Sequence, residues 1–227
     1  SLLKRQKELQ RTIAGASARW AVSETFAQLH REAGVADVDV MENFWQPMSM
    51  PCPRMRRPAN EPLRCCFIGG IALHKGMATL QAAVLQAEIK APGIYLTIMD
   101  SKLSEEEVVL MTWGETAVQF VAPVPMAQMN KFYMNQDVLI APSIWPESYG
   151  LVTREALSAG LWVVASDIGA LADPIRDGEN GHRVPAGDAR ALARVLEQLS
   201  EKHPSPQPLI SFQHNSCALH QQLDQRY

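Results

Sequence analysis

Two short apolar runs, separated by a polar loop and a helical stretch, leave this chain few folds to choose from. The first run, residues 137–140 (Asp-Val-Leu-Ile), leads into Ala141, Pro142 and Ser143. A loop holding Glu147, Ser148, Tyr149 and Gly150 follows. A helical stretch then begins at Gly150 or Leu151 and stops at Gly160, because glycine takes the left-handed conformation that ends a helix. The second run, residues 161–165, comes at once. Strand, loop, helix and strand in this order make one βαβ unit of a parallel sheet.

The chemistry is expected where the first strand hands over to the helix. In open α/β sheets, ligands bind outside the carboxyl ends of the strands. The first amides of a helix lack intrahelical partners and carry partial positive charge, so they suit a diphosphate. Gly150 has no Cβ to block close approach of a ligand to the backbone. Two carboxylates flank the place. Glu147 lies in the loop and Glu155 lies eight positions later, in the second helical turn. Helical side chains lean toward the helix N-terminus, so Glu155 reaches back toward the loop. Carboxylates accept hydrogen bonds in pairs, which suits vicinal hydroxyls of a sugar or ribose. Phosphate on amides with hydroxyls on acids describes a nucleotide-sugar site.

These residues resemble the Glu-x7-Glu signature of retaining GT-B glycosyltransferases, in particular the family-4-like "glycosyl transferases group 1" C-terminal domain. The matching positions are Pro142-Ser143, Glu147, Tyr149-Gly150-Leu151, Glu155-Ala156, Ala159-Gly160 and Val163-Val164, followed by Gly169, the 177–181 turn and Gly187-Asp188. The resemblance implies a Rossmann-like, mostly parallel sheet with helices on both faces, the C-terminal half of a GT-B fold.

Length and composition fit one large domain or one and a half smaller ones. The 227 residues are 47% hydrophobic, enough for a sizeable core, and the net charge of −3 argues against a nucleic-acid partner. Cys52, Cys65, Cys66 and Cys217 form no Cys-x-x-Cys pair and read as reduced thiols of a cytoplasmic protein. No run of 18 apolar residues and no signal-peptide core occur.

Residues 1–17 are polar, basic and helix-friendly, and read as a solvated helix face rather than a lipid contact. Residues 19–22 read as a strand, Ser23 as a helix N-cap, Gly34 as the helix end, and residues 38–40 as another strand leading into Glu42-Asn43-Phe44. This resembles the end of the family's N-terminal, acceptor-binding domain, with Phe44 where the family usually has Gly. The resemblance therefore implies that residues 1–45 are a remnant of that domain and that the acceptor half is missing. It also allows peripheral contact with the inner membrane face through the absent domain. Residues 46–62 hold five prolines and form a linker, with solvated arginines.

The donor-binding domain is placed at 63–205. Residues 63–68 read as a strand, then Gly69-Gly70-Ile71-Ala72-Leu73-His74-Lys75-Gly76 as a glycine-rich turn, then a helix to about Ala91 with Met77, Leu80, Val84 and Ala87 on its buried face. The turn resembles the family's Gly-Arg-Leu-x3-Lys-Gly loop, whose Arg and Lys hold the donor diphosphate. Lys75 matches the Lys, while Gly70 stands in the Arg position. That departure implies charge from elsewhere, a different donor, or weaker catalysis. Residues 94–99 are a strand ending in a turn at Asp100. Ser104 and Glu107 form a capping box that predicts a helix to about Trp113. A strand at 117–121 leads to Val124, expected against the nucleotide base, and a helix at 126–135 follows. A short helix is expected at 170–176, an edge strand at 181–184, and a helix capped by Asp188. Residues 206–227 resemble the closing helix that crosses back to the N-terminal domain.

The resemblance implies transfer of a sugar from a UDP- or GDP-linked donor to an acceptor hydroxyl of a glycan, lipid-linked glycan or protein, with retention and without a metal or cofactor. Glu147 and Lys75 would be catalytic. Gly69, Gly70, Lys75, Val124, Glu147, Ser148, Tyr149, Gly150, Leu151 and Glu155 would bind the donor. The alternative is a nucleotide-binding or interaction module without turnover. A dinucleotide-dependent oxidoreductase ranks below both, because Gly69-Gly70 is no G-x-G-x-x-G and no acid ends the next strand early enough to grip a ribose, Asp100 lying about 30 residues beyond Gly70 rather than roughly 20.

Overall fold

The computed structural model describes residues 2–43, 45 and 55–206. A helix, α1 (Leu2–Ala14), precedes a small unit of two parallel strands, β1 (Trp20–Ala21) and β2 (Asp39–Val40), with α2 (Glu24–Glu32) between them. Ser23 caps α2 as expected, its hydroxyl accepting from the Phe26 amide at 3.1 Å. Ala21, Ala27 and Val38 form a small core of their own.

The main body is a seven-stranded sheet. Its strands are β3 (Leu63–Phe67), β4 (Ile94–Met99), β5 (Val108–Trp113), β6 (Thr116–Val121), β7 (Val138–Ala141), β8 (Trp162–Ser166) and β9 (Gly181–Val184), in the spatial order β5-β6-β4-β3-β7-β8-β9. Every pairing is parallel except β5 with β6. Side chains alternate across the sheet, so each face builds its own core. Leu63, Cys65 and Phe67 of β3 face α3 (Met77–Gln86) and α6 (Ala189–Glu201), which pack together. Cys66, Leu139, Val163 and Ala165 face α4 (Met129–Met134) and α5 (Leu151–Ser158). Helices cover both faces, as the apolar strands require. Asp188 caps α6 through the Ala191 amide at 2.9 Å, and β9 is the edge strand.

Four expectations need correction. Residues 104–113 are no helix. The Glu107 carboxylate does accept from the Ser104 amide, and also from its hydroxyl, both at 2.8 Å, but around a turn, and Val108–Trp113 then pairs antiparallel with β6. The β-branched Val108 and Val109 favour a strand, and Gly114 at φ 59 turns the hairpin back. Trp113 packs edge-on against Phe120, 6.1 Å between centroids. Residues 170–176 form bends and turns rather than a helix. Pro174 denies a helix its donor, and the carbonyls of Pro174 and Ile175 are taken by Asn180 and Arg183. Helix α3 stops at Gln86, not Ala91. The linker arginines are not all solvated: Arg57 pairs with Asp137 at 2.5 Å and Glu61 at 3.1 Å, and Arg56 donates to the His203 carbonyl at 2.7 Å. Phe44, most of the linker and the proposed crossover helix after residue 206 lie outside the described residues.

Candidate donor site

Sequence order reverses in the sheet between β3 and β7. After β3 the chain moves outward to β4 and β6, then returns to add β7 on the other side. This is a switch point, where loops diverge and leave a crevice at the carboxyl ends of the strands. The loops leaving β3 and β7 carry Gly69 to Gly76 and Pro142 to Gly150, so the two stretches singled out in the sequence meet there.

Backbone contacts set the loops against each other. The Ser143 hydroxyl donates to the His74 carbonyl at 2.9 Å, and the Ile144 amide donates to the same carbonyl at 2.9 Å. Gly76 is left-handed at φ 80, and a Cβ there would lie 1.8 Å from the Pro142 carbonyl oxygen. No other residue fits so close an approach. Lys75, one position earlier, is thereby aimed into the crevice. On the other side, the Glu147 carbonyl accepts from the Ala170 amide at 2.8 Å, which fixes the Glu147 backbone against the loop after β8.

The result is a cavity of about 340 Å³ lined by Asn43, Ile68, Gly69, Lys75, Glu147, Ser148, Tyr149, Gly150, Leu151 and Val152. Lys75 Nζ and Glu147 Oε1 meet at 3.0 Å inside it. Gly150 is the N-cap of α5, left-handed at φ 72, so the first amides of that helix open at the same cavity. The arrangement supplies one ammonium, one carboxylate and a helix N-terminus within one small space.

Of the residues named from sequence, Gly69, Lys75, Glu147, Ser148, Tyr149, Gly150 and Leu151 are brought together. Glu155 does not line the cavity. It lies one turn further along α5 from Leu151, on the same stripe, and accepts a hydrogen bond from the Tyr133 hydroxyl at 3.3 Å. Burial raises the Glu155 pKa above the ordinary carboxylate range, and the Tyr133 bond opposes the rise. Gly70 follows the lining but sits toward Ser101. Val124 is apart, in a separate groove with Tyr95, Thr97 and Phe132 on the sheet face.

Sequence reasoning missed Asn43, Arg154 and Ser23 as contributors, and missed what Tyr149 is bonded to. Asn43 reaches the cavity from beyond β2. Tyr149 is buried against the same segment: its hydroxyl donates to Glu42 at 3.3 Å and accepts from the Trp45 indole at 3.2 Å. Arg154 is buried, its guanidinium 4.0 Å from the Tyr149 ring centroid, and it donates to the Tyr149 and Ala170 carbonyls. A lone arginine between Thr153 and Glu155 on a short apolar helix was the available signal for this. Burial and the neighbouring Glu42 raise the Tyr149 pKa, while Arg154 lowers it. The Ser23 hydroxyl adds a bond to the Ser148 carbonyl at 2.7 Å.

Sheet order, crevice and flanking helices define a Rossmann-like α/β domain of the GT-B type. The same architecture occurs in sucrose-phosphate synthase from Thermosynechococcus elongatus (TM-score 0.65, 22% identity, 88% of this chain and 53% of that one) and in Anabaena HepE in complex with UDP and glucose (TM-score 0.67, 18% identity, 88% and 58%). Residues 55–213 match the family described as Glycosyl transferases group 1, and the chain belongs to that family. Among its relatives are a phosphatidyl-myo-inositol mannosyltransferase of Mycobacterium leprae, 46% identical over 132 residues (55% of this chain, 33% of that protein), and a D-inositol 3-phosphate glycosyltransferase of Corynebacterium aurimucosum, 37% identical over 163 residues (66% and 38%). The chain spans about a third of the length of these curated relatives. Among the described residues no helix is long and apolar enough to cross a membrane.

Proposed function

We propose that the cavity binds a nucleoside diphosphate sugar and that the whole protein transfers the sugar, with retention, to a hydroxyl of a glycan or glycoconjugate acceptor. The observation that carries this reading is the meeting of Lys75, Glu147 and the α5 N-terminus in one cavity. In the transfer, the bond from the anomeric carbon to the diphosphate oxygen breaks and a bond to the acceptor oxygen forms on the same face. The acceptor proton leaves with the diphosphate. Negative charge grows on the leaving oxygen, where Lys75 and the first α5 amides stabilise it. Glu147 holds sugar hydroxyls near the reacting carbon, and Glu155, one helical turn outside the cavity lining, takes the ribose where the nucleotide extends past the cavity. The reading calls on no metal, since these groups carry the leaving-group charge.

Residues 1–45 fit as the end of an acceptor domain, because Ser23 and Glu42 bond to the loop bearing Glu147 and Asn43 lines the cavity. A cleft between two such domains would hold the acceptor. HepE was solved with UDP-glucose as well as with UDP and glucose, which supports a nucleotide-sugar donor.

Calorimetric titration with UDP-, GDP- and ADP-sugars tests the reading. At least one donor binds, and Glu155→Ala weakens it; undiminished affinity in that variant removes Glu155 from the ribose. The chain alone binds with little or no turnover. Gly70 in place of an arginine favours binding over catalysis. Efficient transfer by these 227 residues would overturn that part of the reading.

A further inference from the structure

We propose that Glu147 distinguishes the sugar nucleotide from the spent nucleoside diphosphate, because it recaptures Lys75 once the sugar has gone. The inference rests on the donor-site reading above.

In the site the ammonium and the carboxylate satisfy each other, Nζ to Oε1 at 3.0 Å. Their side chains are 29% and 18% exposed, so neither charge is fully hydrated. The backbones on both sides are pinned. The Lys75 amide donates to the Ala72 carbonyl at 3.0 Å, and the Glu147 carbonyl is held by Ala170. The Lys75 stem also lies along Gly69. Side-chain torsions alone can open or close the pair, and the loops need not move.

Three states then differ in how each charge is matched. A nucleoside diphosphate draws Lys75 toward phosphate and strands Glu147, half-buried and facing added negative charge. A sugar nucleotide draws Lys75 the same way, but its hydroxyls donate to the carboxylate and replace the lost ammonium. After transfer those hydroxyls depart, and Glu147 competes with the diphosphate for Lys75. One carboxylate therefore favours the substrate and opposes the product. A residue that only shaped the loop would shift both affinities in one direction.

The test is calorimetric titration of the 227-residue chain and its Glu147→Gln variant with UDP, UDP-glucose, GDP and GDP-mannose. Gln keeps the shape and backbone bonds but cannot hold the ammonium by charge. The diphosphate that binds wild type best should bind Glu147→Gln about fivefold more tightly, on the scale of a part-exposed ion pair, and its sugar nucleotide about fivefold less tightly. In the Lys75→Gln background the gain for the diphosphate should vanish, since the two residues act as one pair. Glu147→Asp, with its carboxylate drawn back, should shift the same way by less. That variant keeps the test available if the Gln variant fails to fold. Unchanged or weaker diphosphate binding in Glu147→Gln overturns the inference, as does an equal gain for both ligands. If wild type binds none of the four nucleotides, the donor-site reading itself falls and takes this inference with it.

Discussion

The hydroxyl of Tyr149 donates to the carboxylate of Glu42, 107 positions earlier, at 3.3 Å. One end of this contact belongs to the segment after β2, and the other belongs to the loop that presents Glu147. Trp45 donates to the same hydroxyl at 3.2 Å, and Arg154 lies against the face of the same ring. Tyr149 is therefore the point where the N-terminal segment, the site loop and helix α5 are joined.

Tyr149→Phe keeps the ring under Arg154 but removes both hydroxyl bonds. The loss should cost about 1 kcal/mol, the scale of a net hydrogen bond in a folded protein. Urea unfolding measures it, with the slope unchanged. Nucleotide affinity should fall slightly, because the Glu147 loop loses its tie to residues 42–45. A variant as stable as wild type would show that the hydroxyl joins nothing of consequence.

Gly76→Ala should be far more damaging than an ordinary surface substitution. The position is left-handed at φ 80, and the added methyl would occupy space 1.8 Å from the Pro142 carbonyl oxygen. Backbone must move to accommodate it, so a loss above about 2 kcal/mol is expected. Surviving protein should have Lys75 displaced and lose nucleotide binding. Thermal unfolding and titration with UDP check the two parts separately.

Glu155→Gln should change how stability responds to pH. Burial raises the Glu155 pKa in the folded state. An acid whose pKa is raised on folding binds more protons folded than unfolded across the interval between the two values. Its contribution to stability is present below the unfolded pKa and is lost as pH rises through the raised folded value. Glu155→Gln removes this loss. The difference in stability between variant and wild type should therefore move in favour of the variant as pH rises from the ordinary carboxylate range, then level off. Urea midpoints at a series of pH values report it. A difference that does not vary with pH would contradict the assignment.

The sequence alone determined the elements whose signals are local or whose burial is complete. Strands 94–99, 138–141 and 162–166 are buried on both faces along almost their whole length, and 63–67 is so except at Arg64, which is the mark of a central parallel strand. Ser23 and Asp188 cap their helices because the bond runs only three residues along the chain. Lys75 and the loop from Glu147 to Leu151 were legible because glycine marks each turn at a strand end. Only tertiary structure decided the rest. The bonds between Ser104 and Glu107 form equally in a turn or a helix, so the choice of strand fell to β6 alongside. In segment 170–176 the carbonyls of Pro174 and Ile175 went to the Asn180 and Arg183 side chains rather than to a helical turn. The pairing of Lys75 with Glu147 spans 72 positions, and the entry of Asn43 spans more than a hundred. Contacts of that length depend on the order in which strands lie in the sheet. Periodicity along the chain carries no record of that order, since it reports only which face of each element is buried.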